Sequence, residues 1–213
     1  MKSRLNIAHE LFEHKKYQES IELCNQILGD DKNLVSVIIL LGKCNLELKR
    51  INDAQRYFNK ALSIDSKSLP ALIHLANSYL QEGYKQKAIE LLMKATAIEP
   101  SNAISMALLG KAYFQAGDKK KAEETIKTAI ELNPKLFNAH FLLASIFTEQ
   151  NKLSLAEIHL SKTIELNSEF FHGYINLGAL LQKQGKLVSA EQHIRKAIEL
   201  NPNIFTAHFM LAS

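Results

Sequence analysis

The chain repeats itself every 34 residues, six times, without insertion or deletion. With blocks opened at Met1, Val35, Leu69, Ala103, Phe137 and Phe171, slot 8 reads Ala8, Gly42, Ala76, Gly110, Ala144, Gly178. Slot 20 reads Ser20, Ala54, Ala88, Ala122, Ala156, Ala190, and slot 27 reads Ile27, Ala61, Ala95, Ala129, Thr163, Ala197. A fixed period of this length is the signature of a stacked array, in which each unit buries its apolar face against its neighbours. Such arrays present extended concave surfaces, so the period bears on function as well as fold.

Each block reads as a helical hairpin. In the fourth, Met106, Leu109, Gly110, Tyr113 and Phe114 fall on one face of a helix. Gly117-Asp118 interrupts it, glycine by its backbone freedom and aspartate as an N-cap for the next helix. Ala122, Thr125, Ile126, Ala129 and Ile130 carry that second helix, which Pro134 stops. Pro100, Pro134 and Pro202 share slot 32, whereas Pro70 sits in a first turn, where proline is tolerated. The small residues of slots 8, 20 and 27 let two antiparallel helices approach. Slots 7 (Leu41, Leu75, Leu109, Leu143, Leu177) and 24 (Phe58, Leu92, Ile126, Leu160, Ile194) fill the space between.

This pattern resembles the tetratricopeptide repeat family. The fourth block matches its slots 4, 7, 8, 11, 20, 24, 27 and 32 as Met106, Leu109, Gly110, Tyr113, Ala122, Ile126, Ala129 and Pro134. The resemblance covers all six blocks and extends to Phe205–Ser213 as the opening of a seventh. Departures fall at Arg4, Lys32, Asn45, Ser66, Thr163 and Ser168. The resemblance implies an all-α solenoid of right-handed superhelical form, a single array over 1–213 with repeats at 1–34, 35–68, 69–102, 103–136, 137–170 and 171–204 and a partial seventh at 205–213. It also implies that each first helix lines the concave side.

On that expectation the groove draws mainly on slots 2, 5, 9 and 12, the last three supplying its candidates. Its candidate residues are Leu5, His9 and Phe12 from the first block, and Ile39, Lys43 and Leu46 from the second. Ile73, Asn77 and Leu80 come from the third, Ala107, Lys111 and Phe114 from the fourth, and Phe141 and Ser145 from the fifth. An apolar floor crossed by Lys43, Asn77 and Lys111 suits an extended or helical peptide with acidic groups. The two-carboxylate clamp of some members is absent, because its lysine, asparagine and arginine slots hold Leu5, His9, Leu40, Pro70 and His74. A slot-6 asparagine ladder like that of the O-linked N-acetylglucosamine transferases is also missing, only Asn6 and Asn176 qualifying.

Other chemistries find little support. Net charge is +4, and by block it runs −1, +3, 0, +2, −2 and +2, which suits solvated helix faces rather than a nucleic-acid stripe. Cys24 and Cys44 make neither a disulfide framework nor a zinc site. His9 and His14 are five apart, not the four of a helical zinc pair, and His159 and His193 share slot 23 without a neighbouring carboxylate or thiol. No phosphate loop or nucleophile elbow appears. No stretch approaches the ~20 apolar residues of a membrane helix. The expectation is a non-enzymatic protein-binding scaffold, cytoplasmic, without cofactor, metal or nucleic acid. The alternative is a substrate-recruiting arm of a larger glycosyltransferase- or sulfotransferase-like enzyme. Phe205, Phe209, Met210 and Leu211 begin a hairpin that stops at Ser213, so we expect a fragment whose C-terminal end can self-associate.

Overall fold

The computed structural model describes residues 3–31 and 34–212, and all regular structure among them is helical. The chain divides into two compact units, Met1–Pro100 and Ser101–Ser213. The first holds α1 (Arg4–Glu13), α2 (Tyr17–Asp30), α3 (Val35–Glu47), α4 (Ile51–Ile64), α5 (Leu69–Gln81) and α6 (Lys85–Ile98). The second holds α7 (Ala103–Ala116), α8 (Lys119–Leu132), α9 (Phe137–Glu149), α10 (Leu153–Leu166), α11 (Phe171–Lys183), α12 (Leu187–Leu200) and α13 (Phe205–Ala212). Each unit is an α-solenoid of antiparallel hairpins, and each 34-residue block contributes one hairpin. Lys32, one of the departures from the repeat pattern, and Ser213 lie outside the described residues.

Every hairpin turns in the same way. Slot 15 takes a left-handed backbone: Lys15, Lys49 and Asn151 at φ 61°, 61° and 58°, and Gly83, Gly117 and Gly185 at 81°, 89° and 75°. The next amide then reaches back to slot 11, as Lys16 N–H does to the Leu11 carbonyl at 2.8 Å and Asp118 N–H to that of Tyr113 at 3.0 Å. This is a Schellman closure, and it satisfies carbonyls that the helix end would otherwise leave unpaired. The second helix starts two residues later. Asp118 caps α8 by accepting from Lys121 N–H at 3.1 Å.

The hairpin crossings follow a size rule. Gly42, Gly110 and Gly178 face Phe58, Ile126 and Ile194, and a Cβ on any of the three would clash with that partner. The other blocks carry Ala8 with Cys24, Ala76 with Leu92, and Ala144 with Leu160. Glycine therefore stands where slot 24 is aromatic or β-branched, and alanine where it is not. All these side chains are buried, each contributing in proportion to its apolar area, up to ~1.5–3 kcal/mol for the largest. The polar departures are satisfied locally. Ser20 Oγ donates to the Ala8 carbonyl at 2.8 Å, Thr163 Oγ to that of His159 at 2.8 Å, and Asn45 Nδ2 to that of Leu41 at 2.8 Å. Buried hydroxyls and amides with partners cost little, so these repeats keep their packing.

Candidate functional site

The first helices set the candidate face. In the N-terminal unit α1, α3 and α5 each present slots 5, 9 and 12. Leu5 and Phe12 pack on the core around Ala8, Cys24 and Leu41, and each keeps part of its surface in solvent. Ile39 packs on both neighbouring cores, and Leu46 leans on Phe58 and Leu75. Ile73 and Asn77 are half-buried, and His9 is exposed. Leu80 is only 4% exposed, so in this state it belongs to the core rather than to an open floor.

One contact links two repeats across this face. The Lys43 ammonium lies 4.3 Å from the centre of the Phe12 ring, a cation–π contact between slot 9 of α3 and slot 12 of α1. Phe12 in turn packs on Tyr17 with ring centres 5.5 Å apart. His74, on α5, stacks on Phe58 at 5.5 Å. Burial, with the Lys43 charge adding to it, pushes the His74 imidazole down to about 4, so it is neutral at physiological pH. Lys43 and Asn77 make no ion pair or hydrogen bond with a described side chain.

In the C-terminal unit Ala107 is 6% exposed and spent on packing, while Phe114 and Phe141 rest half-buried against the same core. Phe141 meets Phe170 edge-on at 5.1 Å. Lys111 is half-buried and, like Lys43, has no carboxylate partner among the described residues. Ser145 sits at the rim of a shallow cavity of about 330 Å³, together with Thr148, Asn176, Ala179, Leu180 and Lys183. The Ser145 and Thr148 hydroxyls donate to the Phe141 and Ala144 carbonyls at 3.0 and 2.8 Å. Lys183 Nζ donates to Asn151 Oδ1 at 3.0 Å, whereas the Asn176 carboxamide has no partner among the described residues. Asn176 and Lys183 fall at slots 6 and 13, one step round the helix from slots 5, 9 and 12. That offset is the signal in the sequence that points to them.

The histidines take other roles. His140 is 6% exposed, and its Nε2 donates to the Pro134 carbonyl at 3.0 Å. Its Nδ1 lies 3.0 Å from His159 Nδ1. Because Nε2 carries the proton, His140 Nδ1 accepts from His159 in the neutral pair. Burial first, then the His140 and Lys127 charges, lower the His159 pKa. His193, the slot-23 neighbour of His159, bonds the Ser189 carbonyl through Nδ1 instead, at 2.7 Å. No group of three or more metal-ligating side chains occurs among the described residues. Cys24 and Cys44 are free and buried, and burial pushes the Cys24 thiol up to about 12. No helix among the described residues is long and apolar enough to cross a membrane.

Comparison with known proteins agrees with this architecture. The family model for the Cilia and flagella-associated protein 70 C-terminal domain, a tetratricopeptide domain, matches residues 8–213. Superkiller complex protein 3 of Homo sapiens is 29% identical over 79 residues, which are 37% of this chain and 5% of that protein. Among solved structures, PilW, a type IV pilus biogenesis factor, superposes with a TM-score of 0.86 at 17% identity, over 98% of this chain and 96% of that one. YrrB, a tetratricopeptide protein with an unusual peptide-binding site, gives a TM-score of 0.60 at 19% identity, over 89% of this chain and 98% of its own. At these identities the structures establish a shared fold.

Proposed function

The chain belongs to the Cilia and flagella-associated protein 70 C-terminal domain family, and from that premise we propose that its first-helix faces bind an acidic partner peptide. Tetratricopeptide folds serve as protein-interaction scaffolds, and YrrB offers a peptide-binding precedent on this fold. The observation that carries the reading is Lys43. The residue is half-buried, its ammonium lies over Phe12, and no carboxylate among the described residues neutralises it. By contrast Lys127, Lys162 and Lys196, all on second helices, are each paired with a glutamate. An unpaired cation beside aromatic surface favours a ligand that brings a carboxylate and an apolar side chain together. Lys111 also occupies slot 9, but slot 12 of the block before it holds Leu80 and offers no aromatic ring. The proposed role is binding, without a catalytic step at these residues. The free, buried thiols suit a reducing compartment such as the cytoplasm.

The test is selection of a random peptide library on the folded chain, followed by binding measurements on Lys43→Gln. Enriched peptides should pair Asp or Glu with an apolar residue. Lys43→Gln should weaken them by about tenfold, the loss of one charge-assisted contact. Enriched peptides without acidic residues, or binding that ignores Lys43→Gln, would overturn the reading.

A further inference from the structure

The repeats act as controls for one another at slot 15. The turn demands a positive φ, and Gly83, Gly117 and Gly185 meet it without penalty. Asn151 meets it as the side chain that best tolerates that region. Lys15 and Lys49 hold the same conformation at φ 61° against the preference of any residue with a Cβ. Nothing in the fold calls for lysine there, since other repeats close the same turn with glycine. Both strained lysines lie in the N-terminal unit, and each precedes a second cation, Lys16 or Arg50. The third turn of that unit adds Lys85 and Lys87. All six are exposed.

These cations share one edge. Successive first helices run parallel, α1 touching α3 and α3 touching α5, so their C-terminal turns line up. Most of these cations are also unpaired. Of the six, only Lys16 has a carboxylate partner among the described residues, Glu19 at 3.3 Å. In the C-terminal unit three of the five lysines at these turns are paired internally, Lys120 and Lys152 being the exceptions among the described residues. Lys119 pairs with Glu149 at 2.6 Å, Lys121 with Asp118 at 3.1 Å, and Lys186 with Glu157 at 2.8 Å. The N-terminal edge therefore leaves the larger share of its cations without a carboxylate.

We infer that the turn edge of the N-terminal unit, built on Lys15, Lys16, Lys49 and Arg50, docks an extended acidic protein segment. This edge is separate from the first-helix faces and does not depend on them. Packed helices stand ~8–10 Å apart. An extended chain advances ~3.3 Å per residue, so acidic side chains at every third position keep step with successive turns. Tyr84, 51% exposed, adds an apolar surface at the third turn, with Lys87 Nζ 4.9 Å from its ring centre. Nucleic acid fits less well. Glu13, Glu19, Glu47, Asp53 and Glu82 flank the cations along the edge. They would repel an unbroken row of phosphates, whereas spaced carboxylates can sit between them.

The glycines supply a variant that should keep the fold. Fluorescence anisotropy at low salt would use a labelled peptide of repeating Glu-Gly-Ser triplets, the same peptide with Gln for Glu, and a poly-uridine RNA of equal length. The wild type should bind the Glu peptide, lose it as salt is added, and ignore the Gln peptide. Lys15→Gly/Lys49→Gly should weaken binding about fivefold, and further Lys16→Gln/Arg50→Gln about thirtyfold, at the strength of exposed ion pairs. The double glycine variant should melt no lower than wild type, because glycine suits the turn. Three results would overturn the inference: no binding of the Glu peptide by wild type, equal binding by the double variant, or tighter binding of the RNA. A loss on Lys43→Gln as large as that of the quadruple variant would do so too, by assigning the peptide to the first-helix face.

Discussion

A glycine-to-alanine change at the α7–α8 crossing should destabilise the chain unless Ile126 is changed with it. A Cβ at Gly110 would stand closer than 3.0 Å to Ile126 Cγ1 and 3.3 Å from the Ala122 carbonyl oxygen. Helix propensity favours Ala over Gly by ~1 kcal/mol. Overpacking a closed core costs ~1–3 kcal/mol. Ile126 is β-branched and fully buried, so it has few rotamers with which to give way. Gly110→Ala should therefore lose up to ~2 kcal/mol net. Ile126→Leu alone, a volume-conserving swap, should cost less than ~1.5 kcal/mol. Together they recreate Ala76 with Leu92 and Ala144 with Leu160, pairs the chain already uses. The double variant should sit within ~1 kcal/mol of wild type, with a favourable coupling of ~1–3 kcal/mol. Urea unfolding of all four proteins, read as midpoint shifts at constant slope, measures that coupling. Costs that add to within ~0.5 kcal/mol would refute the size rule.

His74 predicts an acid-sensitive stability. Its folded value of about 4 lies below the ordinary histidine value of 6.5, so the unfolded chain binds the proton more tightly. The stabilisation is complete above pH 6.5 and is lost as pH falls toward 4, by up to ~3 kcal/mol for a shift of this size. Melting of His74→Leu, which copies Leu40, Leu108 and Leu142 at the same slot, should lose much of that slope; an unchanged slope rules His74 out as its source. The buried thiols of Cys24 and Cys44 should resist a thiol reagent in the native chain and react on unfolding; fast native labelling of both would contradict their burial. Phe205, 82% exposed, predicts self-association of this chain that rises with concentration. Sedimentation velocity of wild type and Phe205→Ser checks it, and identical behaviour of the two would count against that surface.

Much of the fold is legible in the sequence because the repeat states each packing rule six times. Slots 8, 20 and 27 read as close-approach positions, and Ala54, Ala61, Ala88, Ala122 and Ala129 are all fully buried. The Gly117-Asp118 break and the Asp118 cap appear where the residues place them. The face residues are less legible, because their slots divide between packing and solvent according to neighbours that one block does not reveal. Leu80 and Ala107 turn inward, whereas Phe12 keeps a face for Lys43. His140 and His159 meet only because slots 4 and 23 oppose each other across a hairpin, which sequence spacing does not disclose. The strain at Lys15 and Lys49 becomes visible only when their φ is set beside the glycines of the same slot.

Whether the first-helix faces carry the partner is tested most directly by methyl NMR of the chain, titrated with a peptide selected on it. Ile39 and Ile73 report the first helices, and Leu155 and Ile158, both exposed on α10, report the second. Ile39 and Ile73 should shift, saturate with peptide and respond more weakly in Lys43→Gln, while Leu155 and Ile158 stay in place. Shifts confined to Leu155 and Ile158 would contradict binding at the first helices.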